Sequence, residues 1–197
     1  MKKFVIIITA MAFTSLFCGC NHTEYKNPHI LIVTSDGDIE AELYPDKAPK
    51  TVAAFLSYID SGFYTNSSFY RVVFAEGLTT ALNTGIIQGG IYLTNEKDHP
   101  NVAGIVHEST KQTGLSHVNG TLSLARTDPG TASTEFFICI GDQTQFDYGN
   151  SNKPDSLGFA AFGEVLSGMD VVRKIQLSKK NGESITDKVT IKKIKRL

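Results

Sequence analysis

Cysteine is scarce in this 197-residue chain: there are three, and two of them, Cys18 and Cys20, fall in the first twenty residues. Charge of one sign is lacking too. Nineteen Lys and Arg face 20 Asp and Glu, for a net charge of −1. With no basic field, nucleic acid is excluded as an expected partner. The small basic clusters Lys179-Lys180 and Lys192-Lys193 with Lys195-Arg196 read as solvated faces or as weak attraction to anionic lipid. The histidines His22, His29, His99, His107 and His117 show no ligand spacing with acids or with Cys139. They are expected on loops and surface, and no metal or cofactor is expected. Ser, His and Asp are present, but no nucleophile-elbow pattern places them together. No apolar run is long enough for a permanent transmembrane helix. Repeats and low-complexity tracts are absent. What remains is ordinary globular composition, 41% hydrophobic and 20% charged, at a length suited to one domain. Seventeen glycines against three methionines point to many turns and a compact β-rich body.

The first segment stands apart. Lys2-Lys3 precede the apolar stretch Phe4–Phe13 and then Leu16-Phe17-Cys18-Gly19-Cys20. A positive start followed by a short apolar core is the layout of a secretory signal peptide, here residues 1–19. Gly19 directly before Cys20 resembles a bacterial lipobox, which implies cleavage before Cys20 and acylation of its sulfur; cleavage before Cys18 stays open. Loss of Lys2 and Lys3, with no acid in 1–19, would lower the net charge of −1 by two. Cys139 would then be the only thiol left, so no structural disulfide is expected. Residues 21–28, after the lipidated Cys20, read as a polar tether spanning at most roughly 30 Å, at about 3.5 Å per extended residue. The expectation is an exported domain held on the cell envelope by acyl chains, facing the periplasm.

From residue 29 onward the pattern is that of short strands. Ile30–Val33 and Ile39–Leu43 flank Asp36-Gly37, a strong hairpin signal. In the second run Ile39, Ala41 and Leu43 alternate with Glu40 and Glu42, so one face is buried. Pro49 opens a helix in which Val52, Phe55, Leu56 and Ile59 share a face, and Gly62 follows its end. Further strands are expected at Phe69–Phe74, Ile86–Gly90, Thr121–Ala125, Glu135–Ile140, Phe159–Val165 and Lys188–Lys195. A second helix fits Met169–Gln176. Eight strands suit a closed barrel, which leaves no exposed edge. Alternation puts Phe136, Ile138 and Ile140 in the core and Phe137 outside, and puts Phe69, Arg71 and Val73 on one face.

Five segments carry a recognisable order: Ala48-Pro49-Lys50-Thr51-Val52 through Ser68-Phe69-Tyr70-Arg71-Val72; Ile86-Ile87-Gln88-Gly89-Gly90; Gly120–Arg126; Ser133-Thr134-Glu135-Phe136-Phe137-Ile138; and Phe159–Gly163 with Gly168–Val172. In order and spacing they resemble the cyclophilin family across residues 29–197. The resemblance implies a mainly β fold, a closed eight-stranded antiparallel barrel capped by two α-helices. It also implies a monomeric peptidyl-prolyl cis/trans isomerase acting on proline-containing polypeptides. Residue by residue, Arg71 matches the catalytic arginine, Gln88 the glutamine before Gly-Gly, Phe137 the floor of the proline pocket, and Ala125 the alanine whose backbone meets substrate. Tyr70, Ile86 and Glu135 fall at substrate-binding positions, and Phe146 and Phe159 match pocket walls. The residues alone leave Phe146 and Phe159 open between wall and core.

The sequence departs from the family pattern at several of these places. Tyr70 replaces a histidine, Glu135 a glutamine and Arg126 an asparagine. Gly85-Ile86 stand where Phe-Met is common, which removes one aromatic wall. An insertion around Phe74–Thr84 lies beside the site, and Leu78 or Leu82 within it is a candidate replacement wall.

Rotation about an Xaa-Pro bond meets a resonance barrier of about 18–20 kcal/mol. At the twisted geometry the nitrogen regains its lone pair, so a fixed donor and an apolar ring pocket suffice, without nucleophile or metal. Arginine suits the donor role, being always charged and rich in donors. The rival reading is a proline-peptide-binding module or envelope chaperone that keeps the groove without turnover.

Overall fold

The computed structural model describes residues 25–74, 84–93, 101–150 and 155–197. Strands β1 (His29–Thr34) and β2 (Asp38–Leu43) form the expected hairpin. At its turn the Thr34 N–H donates to the Gly37 carbonyl at 3.1 Å, and the Thr34 hydroxyl donates to the same oxygen at 2.6 Å. Helix α1 (Pro49–Asp60) follows. Its Pro49 lies where a missing N–H costs nothing. The Glu108 carboxylate accepts from the next two amides, Lys50 at 3.1 Å and Thr51 at 2.8 Å, and answers the positive end of the helix.

The remaining elements are β3 (Ser67–Val73), β4 (Gly85–Gly90), a one-turn helix α2 (Thr110–Thr113), β5 (Thr121–Leu124), β6 (Phe136–Ile140), β7 (Ala160–Ser167), α3 (Met169–Gln176), a two-residue β8 (Lys180–Asn181) and β9 (Ser184–Arg196). All pairings are antiparallel. The order β1-β2-β7-β5-β6-β4-β3-β9 closes through a β9–β1 pairing, which makes a barrel of eight strands with β8 as a short flap on β9. The two helices read from periodicity are α1 and α3. The third, α2, is a single turn with Gln112 reaching back to the Ser109 N–H, too short to show as a period.

The barrel core follows strand alternation. Ile30, Ile32, Ile39, Ala41, Leu43, Leu122, Phe136, Ile138, Ile140 and Phe162 all point inward. Phe55 of α1 lies across them, with its ring 4.9 Å from Phe162 and 5.5 Å, edge-on, from Phe136. Burial of this stripe, at about 25 cal/mol per Å2 of apolar area, is the main force holding α1 on the barrel. Tyr25, Asn27 and Pro28, within the segment read as a tether, also engage the barrel. Tyr25 stacks on His29 at 3.7 Å, Asn27 donates to Glu42 at 2.9 Å, and the Pro28 carbonyl accepts the Leu43 N–H at 2.9 Å.

One expectation fails in β3. Phe69 is in the core, Val72 is in the core, and Arg71 lies outside with Val73. Phe69 and Arg71 therefore do not share a face. The register against both β4 and β9 shifts between Phe69 and Arg71, leaving Tyr70 as the extra residue of a β-bulge. A bulge of this kind resets the alternation. It delivers Tyr70 and Arg71, adjacent in sequence, to the same outer region.

Candidate active site

Four strands build the site on the outer surface of the barrel. Register aligns Arg71 of β3 with Gln88 of β4, Gln88 with Phe137 of β6, and Phe137 with Ser123 of β5. These four side chains make one row on the outer face. The neighbouring row, Val73, Ile86 and Cys139, is apolar. Arg71, Gln88 and Phe137 of the first row and Val73 and Ile86 of the second line a cleft of about 610 Å3.

Phe137 is the floor of that cleft. Its outward direction agrees with the alternation argument, yet the ring is only 2% exposed because other rings surround it. Phe146 stands edge-on at 5.6 Å and Phe159 edge-on at 5.4 Å, and these two walls meet each other at 5.3 Å. Ile86, Val73 and Ala125 complete the apolar lining. Phe146 and Phe159 are thus pocket walls, apart from the barrel core. Phe146 ends a short 3-10 turn, Thr144–Phe146, and Phe159 precedes β7; the Phe159 N–H donates to the Phe146 carbonyl at 2.9 Å, which holds the two walls together.

Gly85, where an aromatic wall is missing, has φ +130°, and a Cβ there would collide with the Val73 carbonyl. The backbone route out of β4 therefore excludes a side chain at that position. The expected insertion lies, from 75 to 83, outside the described residues, and Leu78 and Leu82 with it.

The opposite edge of the cleft is polar and continuous. Glu183 Oε2, in the β8–β9 turn, accepts from Arg71 Nε at 2.8 Å and lies 2.6 Å from Nη2 in an ion pair. Arg71 Nη1 donates to Gln88 Oε1 at 2.8 Å. Gln88 Nε2 donates to the Tyr70 hydroxyl at 2.8 Å, and that hydroxyl donates to Glu135 Oε2 at 2.6 Å. Glu135 Oε1 accepts from the backbone N–H of Ile91 at 2.8 Å and of Tyr92 at 3.0 Å. Burial raises the Glu135 carboxyl above its ordinary value, although the bonds from Tyr70, Tyr92 and Ile91 oppose the shift. Burial, and then the charge of Glu135, raise the Tyr70 phenol. Gly90, at φ +149°, leaves room for the Glu135 carboxylate, which a Cβ would strike. Arg71 has five N–H donors, more than its bonds to Glu183 and Gln88 use, and it lines the cleft.

Beneath the floor lies a cluster that sequence reasoning missed. His117, expected on a loop or the surface, lies in a loop but is 0% exposed and stacks on Phe137 at 5.9 Å. Its Nδ1 lies 2.6 Å from Asp147 and its Nε2 lies 2.9 Å from the Ser123 hydroxyl. Ser, His and Asp therefore do meet, but Ser123 is sealed under Phe137 and no substrate reaches it. Burial pushes the Asp147 carboxyl up; hydrogen bonds from His117 and Ser116 outweigh this and hold it below its ordinary value. Cys139 is buried in the same region, and burial pushes its thiol up, so it is an inert packing group. Arg126, where the sequence departs from the asparagine pattern, is buried. It forks onto Asp155 at 2.9 and 2.8 Å and onto the Gly158 carbonyl, pinning the segment that leads into Phe159. Glu183 also escaped the sequence reading, because nothing links it to Arg71 across 112 positions. Among the described residues no group of three or more His, Cys, Asp or Glu is arranged to hold a metal ion.

A closed eight-stranded barrel with an aromatic ring pocket on its outer face and Arg71 in its lining is the arrangement that the resemblance to the cyclophilin family implies. The chain belongs to that family: residues 29–196 match the model of the cyclophilin type peptidyl-prolyl cis-trans isomerase/CLD family. It is a peptidyl-prolyl cis-trans isomerase by membership of that family and by likeness to curated relatives. The peptidyl-prolyl cis-trans isomerase of Acinetobacter baylyi is 38% identical over 176 residues, covering 89% of this chain and 82% of that protein. Peptidyl-prolyl cis-trans isomerase B of Escherichia coli is 37% identical over 144 residues, covering 73% and 80%. A Cryptosporidium parvum cyclophilin solved in the presence of the dipeptide Ala-Pro superposes with a TM-score of 0.64 at 22% identity, covering 84% of this chain and 96% of that one. The same protein in a second crystal structure gives 0.67 at 21% identity, covering 87% and 98%.

Proposed function

We propose that this isomerase acts on Xaa-Pro bonds of exported polypeptides, from a lipid anchor on Cys20 that holds it on the periplasmic side of a bacterial envelope. The observation that carries the catalytic part is the placement of Arg71. Its guanidinium is held by Glu183 and Gln88 at the rim of the pocket formed by Phe137, Phe146 and Phe159, with N–H groups left over. A proline ring seated on Phe137 brings the prolyl nitrogen toward that rim. As the amide twists, the nitrogen lone pair is released and accepts one of the free Arg71 N–H groups. The planar amide has no such lone pair, so the bond strengthens on the way to the transition state and lowers the barrier. Ile86 packs on the ring. The Ala125 N–H is already given to the Glu135 carbonyl at 2.9 Å, so its carbonyl is the backbone group left for the peptide. A proline dipeptide accompanies the related Cryptosporidium protein, in keeping with a proline-containing ligand here.

The location rests on the signal-like residues 1–19 and on Gly19-Cys20. Its test is fractionation of cells making the full chain. Wild type is expected in the membrane fraction and Cys20→Ser in the soluble fraction, with isomerase activity travelling alongside. Cys20→Ser that stays with the membrane would overturn the anchor.

A further inference from the structure

The polar edge of the cleft has a direction, and Glu135 sets it. An ionised carboxylate only accepts hydrogen bonds. The Tyr70 hydroxyl, 2.6 Å away, must therefore spend its single proton on Glu135. The Tyr70 oxygen can then only accept, so Gln88 must turn its amide NH2 toward Tyr70. That leaves the Gln88 carbonyl oxygen facing Arg71 Nη1. Three bonds of 2.6–2.8 Å thus transmit one fixed polarity from a half-buried carboxylate to the guanidinium.

We infer that Tyr70 and Glu135 are positioning residues for Arg71, which lock the Gln88 amide with its oxygen toward the guanidinium, rather than contacts to the substrate. This rests on Arg71 being the catalytic group. The polar atoms of both residues are already committed within the protein. Glu135 Oε1 takes two backbone amides and the Thr134 hydroxyl, and Oε2 takes Tyr70. Tyr70 is 7% exposed. The two residues bond each other at 2.6 Å.

The lock has an unusual consequence. In Glu135→Gln the new carbonyl oxygen must stay on the Ile91 and Tyr92 amides, because an NH2 group there would face two donors. The new NH2 then points at Tyr70 and donates to it. Tyr70 turns its proton toward Gln88, the Gln88 amide flips, and a donor faces Arg71. An isosteric change 65 positions from Tyr70 thus reverses the whole chain. Removing the Tyr70 hydroxyl cuts the chain, and Gln88 is again free to turn its oxygen to Arg71.

The test is steady-state isomerisation of a short Xaa-Pro peptide by the wild type, Arg71→Ala, Glu135→Gln, Tyr70→Phe and the Glu135→Gln/Tyr70→Phe double variant. Glu135→Gln is expected to lower kcat at least about tenfold, the scale of one charge-assisted hydrogen bond, with KM within about twofold. Tyr70→Phe alone is expected to lower kcat about threefold, because Gln88 is then no longer held although it can still turn its oxygen to Arg71, and the double variant is expected to recover to that level. Wild-type kcat in Glu135→Gln beside a slow Arg71→Ala overturns the relay and leaves Arg71 standing. So does a double variant as slow as Glu135→Gln. Wild-type kcat in Arg71→Ala overturns the Arg71 reading itself and, with it, the role of the relay. Should Glu135→Gln fail to fold, NMR on the wild type decides. Contacts between the Gln88 amide protons and the Tyr70 ring protons support the lock, and their absence overturns it.

Discussion

Phe137→Ala removes the ring on which the pocket is built, and its cost follows from what the ring touches. The side chain is 2% exposed and is flanked by His117, Phe146 and Phe159 at centroid distances of 5.4–5.9 Å. Truncating a buried phenylalanine costs about 3–5 kcal/mol, part of it transfer and part cavity. Each edge-on aromatic pair lost adds about 0.5–1.5 kcal/mol beyond area burial. The void opens into the cleft, where water fills it, so the total falls near the lower end, about 3 kcal/mol. A domain stable by about 5–15 kcal/mol stays folded after such a loss. Urea unfolding at neutral pH is the assay: the midpoint should drop by the ratio of about 3 kcal/mol to m, with m unchanged. Isomerisation by the folded variant should show a KM for the Xaa-Pro peptide raised at least about tenfold, since the ring seat is gone. A loss of stability under about 1 kcal/mol, with KM unaltered, would refute both the packing and the pocket.

Arg126→Ala should cost about 3 kcal/mol in urea unfolding, the lower end for a broken buried pair, because its guanidinium is buried while the Asp155 it leaves is half-buried and can take up water. Arg126→Lys should recover less than half of that, as one ammonium does not reproduce the fork; full recovery would show that the charge alone matters. Asp147 makes stability pH-dependent. Its folded value lies below the ordinary 3.8 that the unfolded chain keeps, so its contribution is present above about pH 4 and is lost as pH falls through the folded value. Melting temperature measured from pH 5 to pH 2 should show a shallower acid limb in Asp147→Asn than in wild type; an unchanged limb places the titration elsewhere.

Much of this site was readable because its parts sit in strands, where a period of two converts sequence into direction. Phe136 and Phe137 were assigned to opposite faces on that ground alone, and the hairpin at Asp36-Gly37 and the stripe of α1 followed from turn chemistry and the helical period. Reading failed where the period breaks or where partners come from far away. The bulge at Tyr70 carries no local sequence signal, and plain alternation puts Phe69 and Arg71 on one face although they lie on two. His117 is a loop residue whose burial has no sequence signal, because only the fold brings Asp147 and Ser123 to it, and burial of a polar ring becomes tolerable once both nitrogens are satisfied. Glu183 meets Arg71 only because the β8–β9 turn folds back beside β3. Glu135 and Tyr70 were visible as departures from a family pattern, but the bond between them was not.

The central claim is that Arg71 lowers the barrier to twisting the Xaa-Pro amide. The most direct measurement is kcat and KM for a short Xaa-Pro peptide with the wild type and Arg71→Ala, both shown by circular dichroism to be folded. A lost transition-state donor in a pocket of this kind costs about a hundredfold or more in kcat, with KM within about twofold. That split is the predicted result. Unchanged kcat, or a defect confined to KM, would contradict the account and make Arg71 a binding residue.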